Sequence, residues 1–162
     1  MLDRFSAHGY NAEIFNRLTI ITLLRLDMIF ILEADIKLLS INEAFATLRN
    51  GRRVRSEAYH KFSACISRLM FNKRNEFFKF NKSFDYKKHE IHAELIYYTD
   101  KLYTQDGRIS QKSGDLGNVE KCLTDCVLIS EIDDACIVLW SLQKKARDKN
   151  GFYLKLEIVD RK

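Results

Sequence analysis

KSGDLGNVEKCLTDCVLISEIDD, residues 112–134, is the stretch around which the chain is organised. Lys112-Ser113-Gly114 has the chemistry of a sharp turn. Val119, Cys122, Leu123, Cys126 and Val127 then recur at i, i+3, i+4, i+7 and i+8, which predicts a helix with one stripe facing a core. Asn118, Lys121 and Asp125 share a different face. Asp115 stands where a carboxylate caps a helix N-terminus. Asp133 and Asp134 follow the helix and precede an apolar strand. Carboxylates at a helix start and at the mouth of a neighbouring strand, with a lysine one turn into the helix, suit a magnesium ion held against a phosphodiester. Each residue also has a plainer role: Asp115 as a cap alone, Lys121 and Asp125 as an exposed i,i+4 pair, and Asp133-Asp134 as a turn.

Outward from that stretch, the chain has 162 residues, no proline, 46% hydrophobic and 30% charged residues, and a net charge of +5. This fits one folded domain with a real core and excludes a disordered chain. The positive balance favours an anionic partner such as nucleic acid. Cys65, Cys122, Cys126 and Cys136 all fall in apolar stripes or strands, as buried, reduced thiols of a cytoplasmic protein do. Cys122 and Cys126 lack a second pair or a nearby histidine, so they make no zinc pattern. His89 and His92 fall on opposite faces of one strand and make a poor metal pair.

The first 27 residues predict a loosely amphipathic helix over about 11–26, peripheral to a core domain beginning at Met28. Its uncharged run, Leu18–Leu24, is too short for a membrane span, and no cleavage site of a signal peptide follows. Met28 to Leu39 reads as a strand. Asn50-Gly51 predicts a hairpin turn from which Arg49, Arg52, Arg53 and Arg55 project, either as solvated cations or as phosphate contacts. A helix runs from Ser56-Glu57 to about Phe71. Residues 72–88 interleave rings and cations; they read as satellite core beneath a long connection, with stacking on unpaired bases as the other reading. His89 to Tyr103 is a strand, and Asp106-Gly107 a turn leading through Arg108 to Lys112. Ala135 to Leu142 is apolar on both faces and reads as a central strand. Phe152, Leu154, Leu156 and Ile158 alternate with polar residues in a final half-exposed strand, paired with its predecessor as a hairpin. The fold expected is a single α+β domain: a mixed sheet with two main helices packed on it, plus the extra N-terminal helix.

From Met28 onward, the order and spacing resemble the RusA-type Holliday junction resolvases, endonucleases of phages and prophages. Three segments carry the resemblance: SINEAF with the basic RNGRRVRSEAYHKF, then GDLGNVEKCLTDCV, then IDDACIV. The second is similar to the family's Asp-Leu-Asp-Asn motif followed by a lysine and a further Asp. The resemblance implies a homodimer that binds four-way DNA junctions and nicks them with magnesium or manganese, in the cytoplasm of a bacterial or phage-infected cell. It implies Asp115, Asp134 and Lys121 as catalytic residues, with Asp115, Asp134 and the neighbouring Asp133 as metal ligands. Asn118, Arg52, Arg53, Arg55, Arg108 and Lys112 are the expected DNA contacts. Gly117 stands where the family has a second acid. A junction- or nucleic-acid-binding protein with impaired catalysis is therefore the alternative expectation.

Overall fold

The last strand of the chain, Gly151–Asp160, is an inner strand of the sheet and buries alternate side chains on one face: Phe152, Leu154, Leu156 and Ile158 are all in the core. The computed structural model describes residues 27–110, 115–128 and 131–161. The helix expected over 11–26 and the expected DNA contact Lys112 lie outside these residues.

In chain order the elements are β1 (Ile29–Ala34), the one-turn helix α1 (Ile41–Ala44), β2 (Phe45–Thr47), β3 (Arg53–Arg55), α2 (Glu57–Asn72), α3 (Arg74–Ser83) and β4 (His89–Thr99). They continue with α4 (Leu116–Val127), β5 (Ile137–Ala146) and β6 (Gly151–Asp160). The main sheet has the order β1-β6-β4-β5. β6 is antiparallel to both β1 and β4, whereas β4 and β5 run parallel. Parallel neighbours need a crossover, and the segment containing α4 supplies it. The result is the expected α+β domain with a mixed sheet.

The cross-strand register stacks Leu32, Leu154 and Leu95 in one row and Phe30, Leu156 and Ala93 in the next. Ile66 of α2, Phe80 of α3, and Leu123 and Val127 of α4 close over this face, all at most 2% exposed. Burying such side chains is worth about 1.5–3 kcal/mol each before the entropy of ordering them is set against it.

Four expectations about the elements need correction. β1 ends at Ala34, not Leu39; Ser40 caps α1 instead, in a capping box with Glu43. Residues 74–83 form a third substantial helix, because Phe77 and Phe80 recur one turn apart and both bury. β5 and β6 are not a hairpin, since β4 lies between them. Their places are also exchanged: β5 is an edge strand and the alternating β6 an inner one. Alternation reports that one face of a sheet is buried and does not fix a strand's place within it. Lys144 and Lys145 suit the edge, where charged side chains discourage further pairing. A register shift between Ile91 and His92 leaves Val138 as the extra residue of β5, and Val138 and Leu139 are 56% and 53% exposed.

The arginine hairpin is as expected. Gly51 has φ +80°, the left-handed conformation such turns favour, and its N–H donates to the Leu48 carbonyl at 2.9 Å. Among the described residues no helix is long and apolar enough to cross a membrane. All four cysteines are free; Cys122 and Cys126 are buried and Cys136 half-buried, but Cys65 is exposed on α2, against the expectation.

A candidate acidic cleft beside helix α4

Asp115 ends the loop before α4 and caps it. Its Oδ1 accepts from the Gly117 N–H at 3.0 Å, and the Asn118 side-chain amide reaches its Oδ2 at 3.5 Å. The apolar stripe seats α4 against α2 and the sheet, which turns Lys121 and Asp125 outward. Lys121 then reaches across thirteen residues: its Nζ donates to Asp134 Oδ2 at 2.6 Å and also contacts Asp125 Oδ1 at 3.2 Å. Asp134 is held for this by the short 3-10 turn Asp134–Cys136. Asp133 caps that turn, its Oδ1 accepting from the Ala135 N–H at 2.9 Å.

Asp125, Asp133 and Asp134 line one cavity of about 520 Å³ together with Arg55, Thr124, Leu128 and Ile132. Arg55 leans over it from β3, its guanidinium 4.1 Å from the centre of the Tyr59 ring. Stacking of this kind holds a cation in place without neutralising it. Two carboxylates hold the Lys121 ammonium, so its pKa is raised well above the usual lysine range, first by the hydrogen bond to Asp134 and then by that to Asp125. The same lysine holds the Asp134 carboxyl below the usual carboxylate range. Lys121 is therefore a fixed cation at any working pH, not a base. Burial pushes the Cys122 thiol beneath this face up to about 11, which makes it a poor nucleophile.

The structure thus brings Lys121, Asp134, Asp133 and Arg55 to one place. Asp115 and Asn118 engage each other at the start of α4, and Asp115 does not line the cavity. Arg53 stacks on Phe45, 4.8 Å from its ring centre, and Arg52 is exposed on the same hairpin. Arg108 lies on the 100–110 loop, where its Nε donates to Asp106 Oδ2 at 2.6 Å, and it lines a separate cavity with Tyr103 and Ile109. Asp125 is the member that site prediction from sequence leaves out. Its i,i+4 spacing from Lys121 is visible, but the cleft it lines depends on the later turn at Asp133-Asp134.

The fit of a divalent cation can be judged from the donor set. Among the described residues no group of three or more His, Cys, Asp or Glu side chains is placed to hold a metal ion. Magnesium, however, is commonly bound by one or two carboxylates with water and phosphate oxygens completing its shell. The hard oxygens of Asp133 and Asp134 suit that mode.

Gly117 stands where the resemblance implies a further acid. A Cβ at this position would meet only Asp115 Oδ1, at 3.8 Å, an ordinary contact. Gly117→Asp removes a glycine from the second position of the helix and adds a negative charge to its first turn, against some repulsion from Asp115. We expect a net gain of about 0.5 kcal/mol, or roughly 1–2 °C in melting temperature. A loss greater than about 1 kcal/mol in thermal or urea unfolding would show that the position is closed to a side chain.

No protein-family model matches this chain, and no curated protein matches it in sequence.

Proposed function

We propose that the protein is a magnesium-dependent DNA endonuclease acting on branched DNA, with four-way junctions as its substrate and a homodimer as its working form. The observation that carries this reading is the Lys121–Asp134 contact at the edge of a cleft that Arg55 also lines. A lysine of α4 and the Asp-Asp turn thirteen residues further on are in contact, which supports the roles the resemblance implies for them. Asp133 and Asp134 would hold magnesium; Asp115, the further ligand that the resemblance implies, is not grouped with them and acts here as the cap of α4. The ion supplies a Lewis acid and a more acidic bound water.

The protein's own groups have defined tasks. Lys121, permanently charged, stabilises negative charge on the phosphate as the bond breaks. Arg55, with Arg52 and Arg53 on the same hairpin, holds the backbone on either side. Such contacts position DNA without reading its sequence. Two clefts in a two-fold dimer present the same chemistry to two strands of a junction.

Gly117 favours a second reading, a junction-binding protein that does not cut, because the residue leaves one acid out. A gel assay with a labelled four-way junction tests both. Under the first reading the junction is bound in EDTA, binding weakens steeply with salt, and nicks appear only when magnesium is added. Tight binding without nicks, with nicking gained in Gly117→Asp, leaves the second. Absence of junction binding overturns both.

A further inference from the structure

We infer that α3 carries a binding stripe for unpaired single-stranded nucleic acid, next to the acidic cleft but separate from it. Phe77 and Phe80 bury in the core, whereas Phe78 on the same helix and Phe71 at the end of α2 are 60% and 64% exposed. Arg74, Phe78 and Lys82 recur at i, i+4 and i+8 and so share one face of α3 over about 12 Å. The guanidinium of Arg74 lies 4.4 Å from the centre of the Phe71 ring, and the ammonium of Lys82 lies 5.6 Å from that of Phe78. From the end of α2 through α3 the order is ring, cation, ring, cation.

Large exposed rings in a cluster mark a contact surface. The interleaved charge says what kind. Of the charged residues on α3, three are basic, and the one acid, Glu76, is paired with Lys73 at 3.1 Å. A purely apolar partner would leave these cations desolvated. A polymer that offers flat rings and phosphates alternately matches both features, since bases stack on exposed aromatics while cations follow the backbone. The floor beside the stripe is a cavity of about 450 Å³ lined by Met70, Arg74, Phe77, Phe78 and Leu128, with one acid, Glu131, at its side. Leu128 also lines the acidic cleft, so the two cavities adjoin. Asn81 of α3 donates to Glu131 Oε2 at 3.1 Å, which ties the stripe to the segment that leads to Asp133 and Asp134. A strand opened at a branch point can therefore lie on α3 while its paired portion reaches the cleft. The stripe does not require that the strand be cut.

The test is anisotropy of a labelled twenty-nucleotide oligothymidine titrated with the full chain. The double variant Phe71→Leu/Phe78→Leu keeps apolar bulk at exposed positions but removes both π faces. It should bind the oligonucleotide at least about tenfold more weakly while keeping its affinity for heparin, a polyanion without bases. Phe78→Trp should bind as well as the parent and show quenched indole emission when oligothymidine is added. Absence of oligothymidine binding by the parent, equal binding by the double variant, a parallel loss of heparin binding, or unquenched Phe78→Trp emission would each overturn the stripe. None of these readouts involves junction nicking, so the stripe and the nuclease reading fail independently.

Discussion

Lys121→Met should lower magnesium-dependent junction nicking by a factor of about 100 or more while leaving the fold intact. Removing a fixed charge donor from a developing oxyanion typically costs 10²–10³ in rate. The stability effect should be small because the Lys121–Asp134 and Lys121–Asp125 pairs are exposed on both sides, and such pairs contribute about 0–1 kcal/mol. The pH dependence separates this role from base catalysis. The pKa of Lys121 is raised on folding, so its stabilising contribution is complete below the ordinary lysine value and fades only as pH rises through the raised value. The pKa of Asp134 is lowered, so its contribution is complete above the ordinary carboxylate value and fades as pH falls through the lowered one. Between about pH 5 and pH 9 neither group changes charge. Lys121→Arg should thus retain part of the activity with the parent's pH–rate profile in that window. A Lys121→Met protein that nicks at the parental rate would remove Lys121 from the chemistry. A profile that Lys121→Arg displaces would make it a proton carrier.

Helix α4 was legible in the sequence because its stripe has a clean helical period and its cap an ordinary chemistry; Val119, Cys122, Leu123, Cys126 and Val127 are all buried as the spacing predicts. The arginine hairpin was legible because Asn-Gly tolerates the backbone that a tight turn requires. Sheet order was not. Pairing between β4 and β6 is long-range, and β5 lies nearer to β6 in sequence, so a local hairpin looked natural. In the sheet β6 pairs with β4 along its whole length and with β1 over Phe152–Glu157, whereas β5 pairs only with β4 and carries Lys144 and Lys145 near its end. Helix α3 was hidden for another reason. Phe77, Phe78 and Phe80 are alike in composition, and only the packed structure separates the two that face β1 and the sheet from the one that faces outward. The meeting of Lys121 with Asp134 lies between these cases. The residue types suggested a common site, and the short turn after Asp133 determines whether they touch.

That difference within α3 leads to the largest stability effect expected. Phe80 is 0% exposed, with its ring centre 6.1 Å from that of Phe30 on β1 and 6.2 Å from that of Phe77, the latter pair stacked. Phe80→Ala removes one of the two rings that join α3 to the sheet and leaves a cavity that close-packed neighbours cannot fill. Such truncations cost about 3–5 kcal/mol, a large share of the 5–15 kcal/mol that typically stabilises a domain. For a chain of this size, a 4 kcal/mol loss lowers the melting temperature by roughly 8–16 °C. Phe78→Ala, two residues away and exposed, should change stability by no more than about 0.5 kcal/mol. Urea unfolding of the two variants measures the contrast directly. Equal losses would mean that α3 does not present Phe80 to the core and Phe78 to solvent. The binding stripe depends on the same rotation of the helix, so that result would count against the stripe before any nucleic acid was added.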